Sequence, residues 1–90
     1  MYEILLHKDA QKVLRKAQKK IIMKTQECLE YMMVNGIKGL PFPVAVLQGP
    51  FKKYHYFEIK LDKDFRLIVR KQNDSFYIRA AGTHNQLGTG

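Results

Sequence analysis

Two residues of this 90-residue chain have side chains suited to acting on a phosphate ester. His84 follows Gly82 and Thr83 directly after an alternating apolar run, Phe76, Ile78 and Ala80. A core histidine would sit inside such a strand, whereas this one sits just past it. Its imidazole, with an unperturbed pKa of about 6.5, serves as acid or base near neutral pH. Arg66 lies on the polar side of a second alternating run, Phe65 to Lys71, and a guanidinium fork grips two phosphate oxygens at once. An imidazole for protons and a guanidinium for growing negative charge are the ingredients of phosphodiester cleavage. The plain alternatives are a loop histidine and a strand-surface charge.

Strands must carry these residues, and the periodicity supplies them. From Tyr54 the period is two: Phe57, Ile59 and Leu61 share one face, with Tyr56, Glu58 and Lys60 on the other. The next run turns Phe65, Leu67 and Val69 inward and Arg66 and Arg70 outward. The third turns Phe76, Ile78 and Ala80 inward and Tyr77 and Arg79 outward. Short polar connections at Asp62–Asp64 and Gln72–Asp74 make these three strands an antiparallel meander. Upstream, Tyr2, Ile4 and Leu6 read as a short strand, and Asp9 offers a helix N-cap. Helical spacing then runs to Asn35-Gly36. A single helix of that span would be roughly 40 Å long, more than the ~30 Å width of so small a globule. The spacing therefore predicts a break near Gln18–Lys20 and a helical hairpin. The segment Gly36–Pro50 holds every proline and reads as a connection with a short extended piece at Val44–Leu47. The expected architecture is α+β: an N-terminal strand, a helical hairpin, then a three-stranded antiparallel meander.

Charge narrows the class of function. Sixteen Lys and Arg stand against eight Asp and Glu, a net +8, which points to a polyanion or an acidic protein partner. The positive charge falls in two zones. One is helical, from Lys8 to Lys24 with Asp9 as its only acid; the other runs from Lys52 to Lys71 and is interleaved with aromatics. With 46% hydrophobic residues the chain is no disordered tail, and its length fits a single domain, 1–90. No apolar run approaches the ~20 residues of a membrane span, and the opening MYEILLHKDA lacks the pattern of a secretory signal. A single cysteine, Cys28, cannot form an internal disulfide and fits a reducing compartment. The expectation is a cytoplasmic protein with no membrane association, no metal and no cofactor.

The order of elements, together with Leu47-Gln48-Gly49 before the meander, Phe65-Arg66-Leu67-Ile68-Val69 in its second strand and Gly82-Thr83-His84 at its end, resembles the RelE/ParE toxin superfamily. The likeness is strongest to its RelE and YafQ-like ribonucleases. The resemblance implies a small twisted sheet with helices packed on it. It also implies a type II toxin that cuts messenger RNA in the ribosomal A site without a metal, silenced by an acidic antitoxin. The catalytic residues it implies are His84, Arg66 and Asp64, the last near where YafQ-like members carry an acid. Lys52, Lys53, His55, Lys60 and Arg79 would line an RNA-binding face. Many ribonuclease members follow the histidine with an aromatic, and here Asn85–Gly90 has none.

Several residues carry two readings. His55 shares its alternation with Phe57 and Ile59, which makes it a partly buried or strand-end histidine as readily as an RNA ligand. Glu58 is either a base or the ion-pair partner of Arg66 or Arg79. His7 ends the first strand and receives no role. Two other functions fit the same basic fold: a ParE-like inhibitor that binds DNA gyrase, and an RNA-binding module without catalysis. The histidine and arginine on the meander favour the ribonuclease.

Overall fold

The computed structural model describes residues 1–47 and 55–87. Among them five strands form one sheet in the order β1-β5-β4-β3-β2. These are β1 (Glu3–Leu6), β2 (Val44–Val46), β3 (Tyr56–Lys60), β4 (Phe65–Gln72) and β5 (Ser75–Thr83). β3, β4 and β5 are the expected meander, and β2 pairs antiparallel to β3 over Val44–Val46. β1 lies parallel to β5, with Glu3 opposite Ser75 and Leu6 opposite Ile78. The short extended piece foreseen near Val44 is thus an edge strand of the same sheet.

The helical hairpin forms as α1 (Lys8–Arg15) and α2 (Lys19–Asn35). No glycine or proline marks the break; Gln18 interrupts the helix with φ −61° and ψ 151°, and its carbonyl accepts the first bonds of α2 from Ile21 and Ile22. The N-cap of α1 is His7, not Asp9: His7 Nδ1 accepts a hydrogen bond from the Asp9 amide at 3.0 Å. Asp9 instead sits in the first turn, where its charge complements the helix dipole. α2 stops at Gly36, whose φ of +69° suits glycine and where a Cβ would stand 3.2 Å from the Tyr2 ring.

The core lies between the helices and one face of the sheet. Ala10, Ile21, Cys28 and Met32 from the helices meet Phe57, Ile59, Leu67, Val69, Phe76 and Ile78 from the strands. Each large side chain buried there contributes about 1.5–3 kcal/mol of transfer free energy. The alternation of faces read from β3 and β4 holds, but the second face is covered too: Glu58, Arg66 and Ile68 on it are buried. The alternation of β5 breaks at an irregularity opposite Ile68/Val69, where Val69 faces Ile78 but Ile68 faces Ala80. Arg79 is the extra residue of this bulge, so Ala81, not Ala80, joins the core. A period-two reading cannot see an inserted residue, because the insertion switches the face of everything after it.

The β4–β5 connection is a two-residue hairpin turn at Asn73-Asp74, with Asn73 in the left-handed region at φ 55°. Past Thr83 the chain makes a short helix, α3 (His84–Leu87), which the sequence reading did not anticipate. Among the described residues no helix is long and apolar enough to cross a membrane.

Candidate active site at the β4–β5 end of the sheet

The site forms where β4 begins and β5 ends. Cross-strand pairing sets Phe65 opposite Thr83 and Arg66 opposite Gly82. Just outside the ladder, the His84 amide donates to the Asp64 carbonyl at 3.0 Å, so the histidine is hung from the turn that precedes β4. That turn is itself held by Asp62, whose Oδ1 accepts from the amides of Asp64 at 2.9 Å and Phe65 at 2.6 Å. The Phe65 amide and then the Asp64 amide hold the Asp62 carboxyl below its usual pKa.

α3 folds back because of a reciprocal cap. The Thr83 amide donates to Gln86 Oε1 at 2.8 Å, and the Gln86 amide donates to Thr83 Oγ1 at 3.2 Å. Gly82, at φ +157°, lets this happen, since a Cβ there would lie 2.9 Å from Gln86 Oε1. The glycine before the histidine therefore has a structural reason: it makes room for the helix that orients His84.

Arg66 is the centre of the arrangement. It is only 8% exposed, and its Nη1 contacts His84 Nδ1. On its other side, Arg66 Nε faces Glu58 Oε1 at 3.4 Å, and Glu58 is 5% exposed. Glu58 and Arg66 are diagonal neighbours, because Lys60 is directly opposite Arg66 and Glu58 lies two residues back. Glu58, Arg66 and His84 thus form a line from a buried carboxylate to a half-buried imidazole. A guanidinium has donors only, so a hydrogen bond here requires the His84 tautomer that accepts at Nδ1 and carries its proton on Nε2.

The structure brings together His84, Arg66 and Lys60, with Asp64 joined through its backbone. Asp64's carboxylate makes no hydrogen bond or ion pair among the described residues; the residue lines a cleft of about 610 Å³ between the α1–α2 junction and the Asp62–Phe65 turn. Thr83, paired with Phe65, and Gln86 also line it, and Lys16, Lys20 and Lys63 add positive charge. Arg79 is half-buried at the bulge. His55 is at the strand end and not partly buried: it occupies an exposed turn at φ 60°, just before β3, at the opposite end of that strand from Lys60. Lys52 and Lys53 lie outside the described residues. The sequence reading left the Glu58 pairing open, and the structure pairs it with Arg66. It missed the Thr83-to-Gln86 cap, although threonine followed three residues later by glutamine is a recognised helix-start signal. Among the described residues no cluster of three or more His, Cys, Asp or Glu is arranged to hold a metal ion.

A twisted five-stranded sheet with a helical hairpin on one face matches RelE-like folds. The chain is similar over nearly its whole length to YafQ from E. coli strain BL21(DE3), at 22% identity, covering 97% of this chain and 98% of that one with a TM-score of 0.75. It is similar also to a chain of the RelB-RelE antitoxin-toxin complex from Methanococcus jannaschii, at 16% identity, 93% and 94% coverage and a TM-score of 0.77. The YoeB-YefM complex from Staphylococcus aureus matches at 18% identity, 93% and 98% coverage and a TM-score of 0.71. No protein-family model matches the sequence, and no curated protein does.

Proposed function

We propose that the protein is the toxin of a type II toxin-antitoxin system and cleaves messenger RNA in the ribosomal A site without a metal. The observation that carries this reading is the contact between Arg66 and His84 at the end of a basic sheet. In such cleavage the substrate's own 2'-oxygen attacks the adjacent phosphorus. The P–O5' bond breaks, and the products are a 2',3'-cyclic phosphate and a 5'-hydroxyl. One group takes the 2'-OH proton and another supplies a proton to the leaving 5'-oxygen. His84 Nε2 faces away from Arg66 and serves in one of these transfers. Arg66 stabilises the charge that grows on the phosphate oxygens, in a setting shielded from water where such stabilisation is strongest. Asp64 fixes the histidine backbone and lines the neighbouring cleft. Lys60, opposite Arg66, and Arg79, at the bulge, supply further positive charge to an RNA strand.

The net charge of +8 supports an acidic antitoxin as the silencing partner. Solved relatives of this fold include antitoxin complexes with RelB and YefM. Expression of the chain in cells tests the reading. Translated messages should be cut while DNA supercoiling by gyrase is unaffected; inhibited supercoiling with intact messages would assign the chain to gyrase binding instead.

A further inference from the structure

We propose that Glu58 is a positioning residue which anchors Arg66, and through Arg66 orients His84, and that it is not the base of the reaction. The inference rests on the ribonuclease reading for its kinetic consequences only; the anchoring itself is a property of the folded chain.

A carboxylate two residues from Lys60 on a basic sheet face is an obvious candidate to deprotonate a 2'-hydroxyl. Its surroundings argue otherwise. Glu58 is 5% exposed, and its Oε1 points at Arg66 Nε, 3.4 Å away. A general base must come within hydrogen-bond reach of the proton it removes, and this carboxylate is buried beside the guanidinium. Arg66 Nε is itself fully buried with no hydrogen bond of ordinary geometry among the described residues, so Glu58 is the acceptor that faces it. The outer edge of the same guanidinium reaches His84 Nδ1. Two interactions at different nitrogens of one rigid plane, Nε and Nη1, fix its orientation, and that plane in turn fixes which ring nitrogen of His84 is turned away from it. Arg66 is thereby shared between an inner carboxylate that holds it and an outer phosphate that it meets.

The experiment combines nitrogen-15 NMR of the arginine side chain with cleavage kinetics. In the wild-type protein the Arg66 Nε–H should give a slowly exchanging resonance at neutral pH, lost in Glu58→Ala. Glu58→Ala should lower kcat about 10²-fold with KM little changed, the usual result of misplacing a catalytic group without losing substrate contacts. Glu58→Gln retains an oxygen that accepts from Arg66 and should recover kcat to within about tenfold of the parent, with both limbs of the pH profile in place. A base role predicts instead that Glu58→Gln loses about 10²–10⁴-fold and one limb of that profile, and this result would overturn the proposal. So would a rapidly exchanging Arg66 Nε–H in the wild type. Should Glu58→Ala fail to fold, the wild-type resonance and Glu58→Gln carry the test. A chain that cuts no RNA refutes the ribonuclease reading, and the resonance then decides the anchoring by itself.

Discussion

The backbone of His84 is tied to that of Asp64 by a 3.0 Å hydrogen bond that spans the opening of the β4–β5 ladder. This bond makes the position of the imidazole depend on a turn twenty residues earlier in the chain. It also links an acid before β4 to a histidine after β5, and Asp64 lines the adjoining cleft as well.

Loosening the turn should therefore reach the histidine. Asp62→Ala removes the acceptor of two amides, a change expected to cost about 1 kcal/mol on the scale of lost caps, and should weaken the protection of the His84 amide from hydrogen exchange. The sign of the acid response follows from the depressed Asp62 pKa. Its contribution to stability is present above the ordinary carboxyl value of 3.8 and is lost as pH falls through the lower folded value. The stability difference between wild type and Asp62→Ala, followed by denaturant melts, should therefore shrink on acidification.

Gly82→Ala should destabilise the protein by about 1–2 kcal/mol, from a residue forced to φ +157°. The Cβ would also press on Gln86 Oε1, a side-chain end that can move, at the expense of the bond it accepts from Thr83. Thermal melts measure the first effect, and exchange of the Thr83 amide measures the second.

Much of the fold could be read from the sequence because burial imposes period. Phe57, Ile59, Leu67 and Val69 alternate without interruption, and the hairpin break near Gln18 followed from length alone. The Arg79 bulge was invisible because it inserts a residue without changing any residue's type. The N-cap moved from Asp9 to His7 because an imidazole nitrogen can accept an amide as a carboxylate does. In the site, Arg66 and His84 stood out by type and position. The pairing of Glu58 with Arg66 required the register, since alternation put both on one face but left open which cation Glu58 would meet. His55 takes the strand-end alternative and not the partly buried one, because a left-handed turn precedes β3.

Burial pushes the Cys28 thiol up from its ordinary value of 9.0 to about 12. The folded state thus holds this proton more tightly than the unfolded chain does. Its contribution to stability is complete below about pH 9 and is lost as pH rises towards about 12. Wild type should consequently lose more stability across that window than Cys28→Ala. At neutral pH the thiol should resist alkylation until the protein unfolds.

RNA binding should be strongly salt-dependent. If about four to six phosphates are contacted, log affinity should fall against log salt with a slope of roughly −3 to −4 for a single strand. Lys60→Gln should make that slope shallower by somewhat less than one unit. A flat response would remove the basic face from the account.

The most direct test of the central claim compares wild type with His84→Ala and Arg66→Ala in cleavage of messenger RNA on programmed ribosomes, with folding checked by thermal melts. His84→Ala should stay folded, since the half-buried imidazole lies outside the hydrophobic core. Its cleavage rate should fall by about 10²–10⁴, the contribution of a positioned proton-transfer group. Arg66→Ala should also lose cleavage, along with stability from stranding Glu58, and the double variant should be less than additive because both residues act on one phosphate. A folded His84→Ala protein that cuts at the parent rate would contradict the account.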